Sequence, residues 1–341
     1  MNIFSRKSFP WALSALIVIM AGLIAYCLLA PVSKNGSTAY LYLDNDDDID
    51  SLSAKLSEHC KSISVSSIII LARHSGYAEN IRTGRYEITP SIGSFQLLRH
   101  LRNGQQSPLR LTIPSVRTTD RLAEELAEKL MMNKEELEAY LTSNDSCARY
   151  GADTATIIAM FIPNTYEVYW NISVPRLLDK MHKEQQTFWN GSRKSKADAL
   201  GLTPLQVVTL ASIVDEETAN NAEKPMVAGM YYNRLMQNMP LQADPTIKFA
   251  LKQFDIRRIY HNMLRVKSPY NTYANTGLPP GPIRVASVAG IDAVLNLVRH
   301  DFLYMCAKED FSGTHNFART YPEHLDNAAK YTKALNERGI K

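Results

Sequence analysis

The chain has 341 residues, a formal net charge of +4 and 45% hydrophobic residues, enough material for two folded domains. Its 38 lysines and arginines are spread without a dense basic block, so nucleic acid is not an expected partner. Of the four cysteines, Cys27 lies in an apolar run and Cys60, Cys147 and Cys306 make an odd number with no close pair, so no disulfide framework is indicated.

Trp11 to Ala30 is an uncharged apolar run of twenty residues, long enough to cross a hydrocarbon core of about 30 Å. Arg6 and Lys7 precede it and no basic cluster follows, so residues 1–10 read as a cytoplasmic tail and 11–30 as a single transmembrane anchor. The run is long for a signal peptide, and Leu28-Leu29-Ala30-Pro31 offers no small-x-small cleavage site.

Residues 31–107 read as a small βα domain. It holds strands at Ala39–Leu43 and Gly84–Ile88, a helix at Ile49–His59, and an apolar stretch of helical or mixed character at Ser67–Arg73. A further helix, Ser94–Leu101, is stopped by Asn103-Gly104. The acidic run Asp44–Asp50 lacks the glycine and distal glutamate of a calcium loop and reads as a solvated loop or helix start.

Residues 108–341 read as a larger mixed α+β domain. A strand at Leu109–Ile113 leads to a helix at Thr119–Met131, and Asn133 with Glu136 suggests a capping box for a helix ending near Leu141. Leu177–Trp189 is amphipathic and is expected to pack over a sheet, and Ala289–Val298 and Ala328–Glu337 are further helices. His315 and His324 have neither cysteine company nor two-histidine helical spacing, so no metal is expected.

The chemistry concentrates where an apolar helix ends in three acids. Thr203 and Pro204 start it, and Leu205, Val207, Val208, Leu210, Ala211, Ile213 and Val214 give it a broad apolar face. Acids at a helix C-terminus oppose the dipole, and a carboxyl beside such a face is desolvated, which raises its pKa towards the range of a general acid. Periodicity places Asp215 and Glu217 on the two flanks of the stripe and turns Glu216 towards solvent, without choosing between the flanking acids.

Downstream stand Glu223-Lys224, Tyr232-Asn233-Arg234-Leu235, Leu241-Gln242-Ala243-Asp244-Pro245-Thr246, Tyr270-Asn271-Thr272-Tyr273, Gly277-Leu278-Pro279-Pro280-Gly281, Gly313-Thr314-His315-Asn316-Phe317 and Tyr321-Pro322-Glu323-His324. In this order and spacing the series resembles the YceG-like family of endolytic murein transglycosylases over nearly all the chain beyond its first forty or so residues. The resemblance places the catalytic glutamate of an acid-rich E-T motif on Glu217. It implies substrate contacts at Glu223, Asn233, Arg234, Gln242, Asp244, Thr246, Asn271, Tyr273 and His315. The chain departs from the family pattern with Asp215 for a glutamate, Lys224 for an arginine, Ala243 for a hydroxyl residue, Phe249-Ala250 for Tyr-Gly and Asn164 for an aspartate.

The residues themselves leave other roles open: Asp244 as a plain N-cap, and Arg234 as either a stem-peptide carboxylate binder or half of a structural ion pair. The resemblance further implies a LysM-like character for residues 31–107, no cofactor, and peptidoglycan glycan strands as substrate, with peptidoglycan synthases as possible partners. The apolar run with Arg6 and Lys7 before it places the chain as an uncleaved, single-pass protein of the bacterial cytoplasmic membrane, with everything after the anchor outside the cytoplasm. A non-catalytic glycan-binding scaffold and a water-using muramidase are the competing readings.

Overall fold

The structure is a computed structural model and describes residues 9–256 and 258–339, so the expected tail with Arg6 and Lys7 lies largely outside the described residues. The chain divides into two compact units. The first holds the chain up to Leu111 together with Glu167–Ile172, and the second holds Thr112–Tyr166 and the chain from Ser173 on. The division falls a few residues beyond the boundary expected at 107–108, and it adds to the first unit a return segment that sequence reading left in the second.

In the first unit, helix α1 (Phe9–Leu29) is followed by β1 (Ala39–Leu43), α2 (Ile49–His59), α3 (Ser62–His74), β2 (Gly84–Ile88) and α4 (Ser94–Asn103). β1 and β2 pair antiparallel, Leu41 opposite Tyr86, and bury Leu41, Leu43, Tyr86 and Ile88 against α2, α3 and α4. The Asp44–Asp50 run supplies the start of α2: the Asp48 carboxylate accepts from Ser51 N at 2.8 Å, and Ser51 Oγ closes the capping box. The stretch read as helical or mixed is helix throughout, because Val65, Ile68 and Ala72 fall on one buried face and their packing outweighs the poor helix propensity of three isoleucines. Apolar side chains of α1, including Ile17, Val18, Ile19, Leu23 and Ile24, are exposed. Among the described residues no single helix is long and apolar enough to cross a membrane.

The second unit contains most of the helices. β3 (Leu109–Thr112) pairs with β4 (Thr165–Val168), and the division between units runs through both strands. Between them lie α5 (Thr119–Ala127), α6 (Lys134–Leu141) and α7 (Asn144–Ala148). After them come α8 (Val174–Phe188), α9 (Ser192–Ala199), α10 (Pro204–Glu217), α11 (Lys224–Met236), α12 (Asp244–Leu251) and α13 (Val288–Leu295), then the hairpin β5 (Tyr304–Ala307) and β6 (His315–Ala318), and finally α14 (Tyr321–Glu337).

Several expected boundaries move. α5 stops at Ala127 rather than Met131, and Asn133 caps α6 through Glu136 N without the reciprocal Glu136 bond. α8 packs chiefly on α6 and on the 3-10 turn Ile157–Met160, where packing over a sheet was expected. α13 ends at Leu295, before Val298, and α14 starts at Tyr321, where Thr320 and Glu323 form a capping box around Pro322.

α10 is the axis of this unit. Eight consecutive residues, Val207 to Val214, are buried, as befits a helix surrounded by α9, α11, α12 and α13. Its start is fixed by reciprocal bonds, Gln206 N to Thr203 Oγ1 at 3.2 Å and Thr203 N to Gln206 Oε1 at 2.8 Å, with Pro204 in the first turn.

Candidate active site

The three acids at the end of α10 are each held by a different part of the unit. Asp215 is almost wholly buried and accepts from Ser287 N at 2.6 Å, Ser287 Oγ at 2.8 Å and Lys224 Nζ at 2.7 Å. It thereby anchors the starts of α11 and α13. Glu216 does not face solvent as periodicity suggested: its side chain is only 10% exposed and sits between Arg117, in a two-pronged bond at 2.8 and 2.9 Å, and Arg284 at 3.0 Å. Those arginines lie 99 and 68 residues away in sequence, beyond the reach of any local pattern.

Close packing around Asp215 makes one prediction. A Cβ added at Gly290 would sit 2.5 Å from Asp215 Oδ1, so Gly290→Ala forces the buried carboxylate to move. Alanine normally stabilises a helix interior, but here overpacking wins. We expect a loss of about 1–3 kcal/mol, read by thermal or urea unfolding.

Glu217 opens onto a cleft of about 360 Å³ lined by Met230, Tyr231 and Arg234 of α11, Leu241, Gln242, Asp244, Tyr273, and Tyr304, Met305, Tyr321 and His324 of the C-terminal segment. Its Oε1 accepts a 2.6 Å hydrogen bond from the Tyr231 hydroxyl. Burial pushes its carboxyl from the ordinary 4.5 up to about 7; the Tyr231 bond opposes this, Asp244 adds to it, Lys248 opposes it and Glu216 adds to it. Burial also lifts the Tyr231 hydroxyl well above its ordinary range, so the phenol donates in both states of the acid. A carboxyl poised near neutrality, with one oxygen clamped and a cleft before it, is equipped to give a proton and take one back.

The other cleft carboxyl, Asp244, does not cap α12 with its side chain, and that plain reading is set aside. Its Oδ1 accepts from Tyr273 Oη at 2.5 Å. Gln242 sits at φ +50°, a left-handed backbone, with its side-chain oxygen accepting from Arg234 at 3.2 Å. Glu217, Arg234, Gln242, Asp244 and Tyr273 are thus gathered in one place.

The remaining expected contact residues lie outside the cleft lining and hold its walls. The amide of buried Asn271 donates to Leu264 O and Val266 O and accepts from Tyr273 N, which shapes the loop presenting Tyr273. Thr246 is buried against Ala243 O and Thr272. The Glu223 carboxylate accepts from His315 N and lies 3.1 Å from His315 Nδ1, and the Asn233 amide donates to His300 O and Phe302 O. These bonds, with Arg234 Nε to Leu303 O, tie the β5–β6 segment to α11. For Asn271 and Asn233, which the resemblance gives as substrate contacts, the side-chain amide nitrogens are already engaged by backbone carbonyls.

Sequence reasoning missed Tyr231, Tyr304 and Tyr321. Tyr231 stands three residues before Arg234 on the same helix face, a spacing that would have found it once Arg234 was placed.

Comparisons with known proteins agree on one family. The model of the YceG-like family matches residues 41–330. The endolytic murein transglycosylase of Bacillus subtilis (strain 168) is 26% identical over 340 residues, covering 95% of this chain and 93% of that one. The endolytic murein transglycosylase of Streptococcus pneumoniae (strain ATCC BAA-255 / R6) is 27% identical over 301 residues, which cover 77% of this chain and 53% of the longer relative. The crystal structure of a YceG-like protein from Listeria monocytogenes superposes with a TM-score of 0.57 at 23% identity, covering 85% of this chain and 98% of that one, a likeness of fold.

Proposed function

The chain belongs to the YceG-like family, and from that membership we propose that it is an endolytic murein transglycosylase, a lyase of peptidoglycan glycan strands with Glu217 as its acid and base. The observation that carries the residue assignment is Glu217 itself, facing a cleft with its pKa raised to about 7. Protonated Glu217 gives its proton to the oxygen linking N-acetylmuramic acid to the next N-acetylglucosamine, and the C1–O4 bond breaks. The resulting carboxylate takes the proton of the muramic acid's own C6 hydroxyl as O6 bonds to C1, closing a 1,6-anhydro ring. Attack from within the same sugar has effective molarities on the order of 10⁵ M or more, so no second carboxylate is needed to activate water.

Gln242, Tyr273 and Arg234 line the same cleft and are proposed as contacts to the strand, with Asp244 facing the positive charge that develops on the ring. The order β1–α2–α3–β2, with antiparallel strands, supports a LysM-like glycan-contacting role for the first unit. The exposed apolar surface of α1 supports a membrane anchor, with the catalytic unit on the extracytoplasmic side where murein lies and synthases work.

Asp244 in the cleft also suits a hydrolase that pairs two carboxyls around a water. The two reactions differ in product. Digesting purified murein with the protein and weighing the products is expected to give anhydromuramyl ends, one water lighter than hydrolysed ends. Reducing muramic acid alone would instead establish hydrolysis.

A further inference from the structure

Arg234 is a buried cation without a counter-ion among the described residues. It is 6% exposed, and its guanidinium donates only to neutral oxygens: Leu303 O at 2.5 Å, Pro240 O at 3.2 Å, Leu241 O at 3.0 Å and the Gln242 side chain at 3.2 Å. No carboxylate pairs with it among the described residues, so the structural ion pair open to it in the sequence is absent. Buried charges in proteins are ordinarily paired. Nε and Nη1 make these four bonds, which leaves Nη2 without a hydrogen-bond partner among the described residues.

His324 shares the cleft and the same shortage. Its Nδ1 is buried with no hydrogen-bond partner, and its ring stacks on Tyr304 at 5.5 Å and 27°, while the Arg234 guanidinium lies 5.1 Å from the same tyrosine. Burial, then the charge of Arg234, holds the imidazole below its ordinary 6.5, so it is neutral at neutral pH. Orphaned buried N–H groups are rarer than orphaned acceptors, which assigns the ring hydrogen to Nε2, the nitrogen left to meet an occupant.

We infer that Arg234 Nη2 and His324 Nε2–H form a carboxylate-binding subsite, supported by Tyr304, that takes a carboxylate of the peptide stem borne by the muramic acid at the cleft. The inference rests on the murein-cleaving reading and extends it: this enzyme distinguishes strands by the charge of their stems, not only by their sugars. Both carboxyls on the cleft lining are bonded elsewhere, Glu217 Oε1 to the Tyr231 hydroxyl and Asp244 Oδ1 to the Tyr273 hydroxyl.

The test is calorimetric binding to full-length Glu217→Gln protein of three ligands: a disaccharide muropeptide with free stem carboxylates, the same molecule with those carboxylates amidated, and chitotriose. We expect the free carboxylate form to bind about tenfold tighter than the amidated form at low salt, with the gap narrowing as salt rises. Adding His324→Phe, which keeps the aromatic ring and removes the N–H, is expected to shrink the gap several-fold. Arg234→Lys should do so too, and if it does not fold the phenylalanine variant carries the test. Equal affinity for the two muropeptides, no binding of any ligand, or a gap unchanged by His324→Phe overturns the subsite. Failure of the wild-type protein to cleave murein would count against the proposed function instead, since the carboxylate preference is read in binding alone.

Discussion

Glu217→Gln is expected to lower glycan cleavage by about 10³-fold or more while the protein stays folded. In the proposed reaction one group supplies both proton transfers, and a positioned acid or base is worth roughly 10²–10⁴ in rate. The amide keeps the shape of the acid and can still accept from Tyr231, but it has no proton to give. Because the acid must start protonated, wild-type kcat/KM is expected to fall above pH of about 7. Full activity in this variant, with loss in Glu216→Gln, would move the chemistry to the neighbouring residue.

The same substitution has a signature in stability. The folded-state pKa of Glu217 is raised from 4.5 to about 7, so folding favours the protonated form. That advantage is fully present below pH 4.5 and lost as pH rises through about 7, where wild type must bury a charge. Glutamine never ionises. Glu217→Gln is therefore expected to gain stability relative to wild type between these pH values, on the order of 2 kcal/mol, visible as a Tm difference that opens from pH 4.5 to 8. A Tm difference that stays constant across this range would mean that the carboxyl is not desolvated.

The second large effect concerns Asp215. Asp215→Ala is expected to destabilise the protein by about 3–5 kcal/mol, because Lys224 would stay buried without its counter-charge and Ser287 N would lose its acceptor. Urea unfolding measures this directly. Asp215→Asn, which keeps an oxygen for Ser287, should lose less. Equal, small losses for both variants would show that water reaches the pair and screens it.

Much of this was legible in the sequence. The strands Ala39–Leu43 and Gly84–Ile88 and the helix Ile49–His59 were read with their observed limits, since alternation and capping are local signals. The helix leading to Glu217 was legible too, as was the oddity of acids at its end. The choice of Glu217 over Asp215 was not: both flank the stripe, and only the resemblance separated them; in the structure Asp215 is bonded to Lys224 and Glu217 faces the cleft. Two departures from the family pattern, Asp215 for a glutamate and Lys224 for an arginine, prove to be partners at 2.7 Å. Read one at a time, they looked unrelated.

The misreadings share a cause. Glu216 is covered by arginines distant in sequence, and the amides of Asn233 and Asn271 satisfy backbone carbonyls of loops whose paths no periodicity encodes. Polar side chains that hold loops look the same in sequence as those that hold ligands. Only accounting for each donor and acceptor separates them, and that accounting left Arg234 and His324 short of partners.

Helix ends ordinarily fray, and a last turn carrying three acids against its own dipole should fray more than most. Here Asp215, Glu216 and Glu217 are moored to separate stretches of chain through Ser287 and Lys224, Arg117 and Arg284, and Tyr231. Unwinding that turn would break all three moorings together. The proposed proton donor, Glu217, therefore stands at a fixed address before any sugar arrives, and a docking strand need not spend binding energy on ordering it.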